Sequence, residues 1–463
     1  MRVVIDLLYL LAVILGSPWL LYKMVRTGKY RKGLRGRLGG VKRREGDKRC
    51  LWVHGVSVGE VLAARTLVEG FTHRHPDWDV VISTTTSTGQ EVAKRHYPGQ
   101  QVVYYPVDFG FAVERAMKAV RPDAIVLVEA DLWPNFLGEA ARRRTPVMVV
   151  NNRIGARSFR QQMMLRYLGR LFLYDRLTQV TAQTEVHARR LRELGAGAGR
   201  VTVTGSVKYD AAPTRVGGSE ELARELGIRE GERVIVAGST FAPEEKILLG
   251  IYGRLRERFR GLRLVVVPRR PERFDEVARM ITEAGFKVTR RSECVKETEE
   301  TLTAKAQSAQ RTARPGVNSN NSQEEAKGNR KGAKLEGDVV ILGDTMGELT
   351  RFYGLAEVVF VGKSLVAGGG QNILEPAGLG KAVVFGPSMY NFEEPAQRLL
   401  GRGAAVQVRD AKELEKELGG LLASPQRARE MGLAGREAID AGRGATERNL
   451  DMIDKVLAER RLL

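Results

Sequence analysis

Two kinds of apolar pattern divide the chain. Val3 to Tyr22 reads VVIDLLYLLAVILGSPWLLY, a run of about twenty largely apolar residues and long enough to cross a bilayer core. From Leu51 onward the pattern changes to short apolar runs separated by helical periodicity. LWVHGVSV, VVISTTT, VVYYPV, AIVLVEA, PVMVVNN, VTAQT and VTVTGSV read as strands. Glu60–Phe71, Phe109–Val120 and Val186–Leu194 read as helices between them. This alternation predicts a parallel sheet covered by helices on both faces. Residues 210–219, DAAPTRVGGS, carry Pro and Gly without periodicity and read as a linker. The alternation then restarts with RVIVAGST, RLVVVPR, FKVTR, VVILGD, EVVFVGKS, AVVFGP and AAVQV. The pattern therefore predicts two doubly wound, Rossmann-like α/β domains at 51–209 and 220–442, followed by a C-terminal helix at 443–463. Ligands are expected at the carboxyl ends of the strands, in a cleft between the domains. Residues 295–337 interrupt the second domain. They are polar, rich in Ser, Asn, Lys and Gly, and nearly free of aliphatics, so a disordered surface insertion is expected.

Charge adds the next constraint. The chain has 463 residues, 75 Lys+Arg against 55 Asp+Glu and a formal net charge of +20. Lys23 to Arg44 alone holds ten basic residues and no acid, so half of the excess lies just after the apolar run. That order predicts a membrane anchor at 1–24 and a basic segment at 25–50 held on the cytoplasmic side. Spanning and lying in the surface both remain open, because Ser17-Pro18 interrupts the run near its end. Asp6 is placed to reach the interface, with Trp19 and Tyr22 in an aromatic belt. A cleaved signal peptide fits less well: only Arg2 precedes the apolar region, and no small-x-small site follows. The 43% hydrophobic fraction excludes wholesale disorder, and two cysteines exclude a disulfide framework.

Candidate chemistry lies at strand ends. HGVSVGE closes the first strand and places Glu60 in the first turn of a helix. A carboxylate there is positioned for general-base work, and it also complements the helix dipole. EADLWPN closes the fourth strand and offers Glu129 as a second site carboxylate, with Asp131 as a possible cap. In the second half, Ser239 and Thr240 form a small-residue turn suited to phosphate, and VPRRPER supplies three arginines. GDTMGEL and GGGQNILEP follow later strands. The glycine-rich loop is expected to present backbone N–H groups to phosphate, and Glu375 to accept from ribose hydroxyls. No Walker loop and no GxGxxG fingerprint are present. Asp77-Trp78-Asp79 sits at a strand entrance and reads as solvated turn acids. His54, His73, His75, His96 and His187 form no metal set, so no metal site is expected.

These motifs together resemble the Kdo transferases (3-deoxy-D-manno-octulosonic acid transferases) of lipopolysaccharide synthesis, glycosyltransferases of the GT-B type. The matching segments are WVHGVSVGE at 52–60, STTTSTG at 83–89, YYPVD at 104–108, EADLWPN at 129–135, NNR at 151–153 and TGSVKYD at 204–210. AGST at 237–240, VPRRPERF at 267–274, LGDTMGEL at 342–349, FVGKSL at 360–365, GGGQNILEP at 368–376 and GPSMYNF at 386–392 complete the set.

The resemblance implies a membrane enzyme that uses CMP-Kdo as donor, a lipid A precursor (lipid IVA) as acceptor, and no cofactor. It implies Glu60 as catalytic base and Glu129 as a second acid near the acceptor. It assigns CMP contacts to Pro268 and Arg269, to Met346, Gly347 and Glu348, and to Asn372, Ile373, Leu374 and Glu375. Lys208 is a further candidate. The chain departs from the family pattern at Arg270, Lys363 and Gln371 in the donor half, where His, Gly and His are usual, and at Asp131 and Ser206, where Glu and Asn are usual. The implied reaction is a single inverting displacement, with no metal needed because cationic side chains stabilise the leaving phosphate. Two alternatives stand beside it. One is a GT-B transferase for another nucleotide sugar and lipid. The other is a non-enzymatic binder of anionic membrane or nucleic acid, disfavoured because the charge clusters beside the apolar run with little aromatic interleaving.

Overall fold

The structure, a computed structural model, describes residues 2–27, 33–129, 131–295, 338–366 and 368–463. It divides into two compact units. The first comprises residues 1–211 and 442–463, and the second residues 212–441.

The first unit carries β1 (Arg49–His54), β2 (Trp78–Thr84), β3 (Gln101–Tyr104), β4 (Ala124–Val128), β5 (Val147–Asn152), β6 (Gln179–Ala182) and β7 (Val201–Val203). They form one parallel sheet in the order β3-β2-β1-β4-β5-β6-β7. Side chains alternate between its two faces, as strand geometry requires. Trp52, Val81, Ile125, Leu127 and Val149 enter one core. Leu51, Val53, Ile82, Val126 and Val150 enter the other. The order reverses between β1 and β4, so the switch point lies where these neighbours end.

The C-terminal helix, Ala445–Glu459, belongs to this first unit and buries Leu450, Ile453 and Leu457 on the second face. Asp210, expected to begin the linker, instead caps that helix. Its two carboxylate oxygens accept from the N–H groups of Gly444 (2.7 Å) and Thr446 (2.6 Å).

The second unit repeats the plan with β8 (Arg233–Thr240), β9 (Leu262–Pro268), β10 (Lys287–Arg290), β11 (Val339–Leu342), β12 (Val358–Val361), β13 (Ala382–Phe385) and β14 (Ala405–Gln407). All pairs are parallel, in the order β10-β11-β9-β8-β12-β13-β14. Ile235, Ala237, Leu264, Val266, Val358 and Phe360 pack on one face against Leu248, Tyr252 and Leu255 of helix Glu244–Arg258. The expected insertion at 295–337 lies outside the described residues except for Val295.

The N-terminal apolar run is helical and packs on the first unit. Arg2–Thr27 is one helix of 26 residues that runs through Ser17-Pro18. Among the described residues, no helix is long and apolar enough to cross a membrane. Among the described residues of this helix, Arg2, Asp6 and Tyr9 bind protein. Asp6 accepts from the Gly110 N–H (2.9 Å) and from Asn135 Nδ2 (2.8 Å), Tyr9 donates to Asp108 (3.0 Å), and Arg2 pairs with Glu114 (3.1 Å). Asp6 therefore does not serve a bilayer interface. The basic segment is also partly structural. Arg44 is buried and donates to the carbonyls of Val120 and Lys48 and to the Asp79 carboxylate. Lys29, Arg31 and Lys32 lie outside the described residues.

Candidate active site

In the first unit, Glu129 and Lys208 meet at the strand ends, and the Glu129 charge reaches Glu60. Ser57 caps the short helix Val58–Ala63, its Oγ accepting from the Glu60 N–H (3.4 Å). Glu60 folds back over the same turn. Its Oε2 accepts from the Val56 N–H (2.6 Å) and its Oε1 from the Ser57 hydroxyl (3.0 Å). This is a reciprocal capping box, written in the sequence as Ser-x-x-Glu. Thr84 and Thr85 donate to the Val56 carbonyl from the end of β2, which fixes the turn from behind. Burial pushes the Glu60 carboxyl above its ordinary range. The Val56 N–H works against that shift, and the nearby Glu129 charge adds to it.

Glu129 follows β4 with φ of 67°, a left-handed conformation unusual for a residue with a side chain. Its Oε1 meets Lys208 Nζ at 2.8 Å and accepts from Asn151 Nδ2 at 3.1 Å. Asn151, next to last in β5, is fully buried and is also left-handed, with φ of 57°. Its Oδ1 accepts from the Val207 N–H (3.2 Å), at the start of the helix that carries Lys208. Asn151 thus ties Glu129 to the Lys208 helix. It lies in a matched motif, but its role in orienting Glu129 depends on a contact 22 residues distant.

A second network was missed. Trp52 Nε1 donates to Ser83 Oγ (2.8 Å), Ser83 Oγ lies 2.9 Å from His54 Nδ1, and His54 Nε2 lies 3.2 Å from Asp131. His54 Nδ1 also lies 3.1 Å from the Ser83 carbonyl oxygen, so the ring is held by both oxygens of Ser83 on one side and by Asp131 on the other. His54 is buried and stacks on Tyr105 with ring centroids 3.7 Å apart. Asp131 is therefore held by His54 rather than serving as a helix cap, since helix Pro134–Arg142 takes its cap contacts from Asp108 to Asn135 and Phe136.

In the second unit the candidates fall at the ends of β8, β9, β11 and after β12. Ser239 is left-handed (φ 55°), Thr240 is fully buried, and the Arg269 N–H donates to the Thr240 carbonyl (3.0 Å). Pro268 ends β9 and Arg269 is exposed beside it. Asn372 Nδ2 donates to Glu375 (2.8 Å), while Asn372 Oδ1 accepts from the Leu374 N–H (3.1 Å) and starts helix Leu374–Gly378. Burial pushes the Glu375 carboxyl up, and Arg269 pulls it partly back. Ile373 and Leu374 are core residues, so their side chains serve the framework. Met346 is exposed and Gly347 is left-handed (φ 89°). Glu348 is engaged by Arg291 (3.1 Å), Arg351 (2.6 Å) and Thr345 (2.5 Å). Burial pushes its carboxyl upward, but these partners outweigh it and hold it below the ordinary range.

The glycine loop corrects an expectation. The N–H groups of its three glycines already have acceptors. Gly368 and Gly369 donate to Ser388 Oγ (3.1 and 2.9 Å), and Gly370 donates to the Lys363 carbonyl (2.8 Å). The turn after β12 is likewise occupied. Glu244, fully buried, accepts from the N–H groups of Phe241, Lys363, Ser364 and Leu365 at 2.6–3.0 Å. A backbone nest that would attract an anion is filled by the protein's own carboxylate. Arg270 and Lys363, two of the departures, converge on the Phe241 ring at 4.7 and 5.9 Å from its centroid. Gln371 is half-buried. Among the described residues, no group of three or more His, Cys, Asp or Glu is placed to hold a metal ion.

Two tandem parallel-sheet α/β units, each with polar residues gathered at strand carboxyl ends, match the GT-B glycosyltransferase fold. A glycosyltransferase from Rickettsia africae has this fold with a TM-score of 0.54, at 11% identity, over 89% of this chain and 99% of that one. The family model for 3-deoxy-D-manno-octulosonic-acid transferase (kdotransferase) matches residues 32–211. The chain is 32% identical to the 3-deoxy-D-manno-octulosonic acid transferase of Bordetella pertussis, over 87% of this chain and 86% of that protein. It is 29% identical to the enzyme of the same name from Haemophilus influenzae, over 94% and 93%. The chain belongs to the 3-deoxy-D-manno-octulosonic acid transferase family.

Proposed function

We propose that this protein transfers Kdo from CMP-Kdo to a lipid A precursor at the cytoplasmic face of the inner membrane, in lipopolysaccharide biosynthesis. The observation that carries the proposal is the Glu129–Lys208 pair at the strand ends of the first unit, with Glu60 in the turn after β1 within reach of the Glu129 charge, in a chain of this family. Glu60 takes the proton from the acceptor hydroxyl as its oxygen attacks the anomeric carbon. The C–O bond to CMP breaks on the opposite face, so configuration inverts. Burial suits Glu60 to this task, because a raised pKa makes the carboxylate a stronger proton acceptor. Lys208 and Asn151 hold Glu129, and we assign Glu129 and Lys208 to orienting the acceptor. Arg269 takes the donor phosphate, with the Ser239-Thr240 turn next to it. The charge on the leaving phosphate is met by cationic side chains, and the reaction needs no metal.

The membrane role rests on the exposed side of the N-terminal helix. Val3, Leu7, Leu8, Leu11, Ile14 and Leu15 are exposed, while Asp6 and Tyr9 face the domain. An apolar helix surface laid on a domain suits insertion into one leaflet.

The test is transfer from CMP-Kdo to purified lipid IVA, with mass detection of product. The expected result is acceptor extended by Kdo. Product with a UDP-sugar but none with CMP-Kdo would overturn the donor assignment.

A further inference from the structure

The segment Ala156–Phe172 follows β5 in the first unit. It forms two helices, Ala156–Met163 and Arg166–Phe172, in which no residue is fully buried. Met164, Leu165, Tyr167, Leu168 and Leu171 expose 86, 63, 74, 54 and 55% of their surface. Five large exposed apolar side chains within eight residues are a concentration that soluble surfaces seldom carry without a partner. The segment is nonetheless fixed in place. Phe159 and Met163 pack on the sheet core, and the Tyr174 hydroxyl donates to Gln162 (2.8 Å).

The surroundings of the patch say what covers it. Arg157, Arg160, Arg166 and Arg170 are exposed on the same two helices. The nearest acid in sequence is Asp175, 3.6 Å from Arg170. A patch of Leu, Met and Tyr rimmed by arginine matches the boundary of an anionic bilayer, where acyl chains take the apolar groups and phosphates the guanidinium forks. Placement agrees. Helix Pro134–Arg142 packs against both the N-terminal helix and helix Arg166–Phe172. The two exposed apolar surfaces therefore flank one element of the first unit.

We infer that residues 156–172 form a second membrane contact, inserting Met164, Leu165, Leu168 and Leu171 into a leaflet rich in anionic phospholipid. This rests on the membrane-surface reading above, yet it fails separately: vesicle contact by this segment and Kdo transfer in detergent are independent measurements.

The test uses the full chain and vesicles of phosphatidylcholine, alone or with phosphatidylglycerol. The variant Leu165→Ser/Leu168→Ser/Leu171→Ser is expected to lower partition onto anionic vesicles about tenfold or more. Arg157→Gln/Arg160→Gln/Arg166→Gln/Arg170→Gln is expected to lower it comparably and to flatten its salt dependence. These positions are exposed, so thermal unfolding should be unchanged. If the serine variant misfolds, Leu168→Trp carries the test. Its added emission should shift to the blue and be quenched by brominated lipid only when anionic vesicles are present. Unchanged partition in both variants, or an introduced tryptophan that stays in water, would overturn the inference. So would a dimer in sedimentation velocity that dissociates in the serine variant while vesicle binding persists, since the patch would then join two copies.

Discussion

At the residue scale, Glu60 is pulled two ways. Its carboxylate accepts from Val56 and Ser57 as a helix cap, which favours the ionised form, while burial favours the neutral one. Burial prevails, so the folded protein holds this proton more tightly than the unfolded chain. The stability that protonated Glu60 contributes is complete below the ordinary carboxylate range and is lost as pH rises through the higher folded value. The acid limb of kcat/KM is therefore expected to have its midpoint above the usual glutamate range, because the base must be ionised to work. A midpoint at or below that range would contradict the burial argument. Arg269 is the other decisive residue. It is exposed, and its charge already reaches Glu375. Arg269→Ala is expected to weaken CMP about tenfold or more by calorimetry, the loss of a charge-assisted contact. Unchanged CMP affinity would remove it from the phosphate site.

At the element scale, what matters is which loop amides are already satisfied. Glu244 fastens the turn after β8 to the turn after β12 through four backbone N–H groups. Glu244→Ala leaves those donors buried and unpaired, which is expected to cost on the order of 3 kcal/mol. A lower Tm and weaker donor affinity should appear together. A variant as stable as the parent would mean water replaces the carboxylate. Every strand of both sheets was legible beforehand, because parallel strands buried on both faces appear as short apolar runs between turn residues. Glu60, Glu129 and Lys208 each lie in a motif that follows a strand. The glycine loop was misread because its competing acceptor, Ser388, is about twenty residues further on and reaches the loop only after folding. The His54–Asp131 contact was hidden for the same reason, with 77 residues between its ends.

At the scale of the whole molecule, the net charge of +20 turns out to have mixed uses. Arg44 is spent inside the first unit, while Arg157, Arg160, Arg166 and Arg170 are exposed beside apolar residues. The sequence pattern located the apolar helix correctly but not its relation to the domain, because the bonds from Asp6 and Tyr9 go to partners about a hundred residues away. Deleting residues 1–24 is expected to weaken sedimentation with membranes without abolishing it, since the 156–172 surface remains. Complete retention by membranes would mean that the helix is not an attachment. The central claim is that Glu60 is the base of a Kdo transfer. Its most direct test compares parent and Glu60→Gln for transfer from CMP-Kdo to lipid IVA, with CMP affinity measured on the same samples. The account predicts a loss of roughly 10²–10⁴-fold in turnover at unchanged CMP affinity; turnover near that of the parent would contradict it.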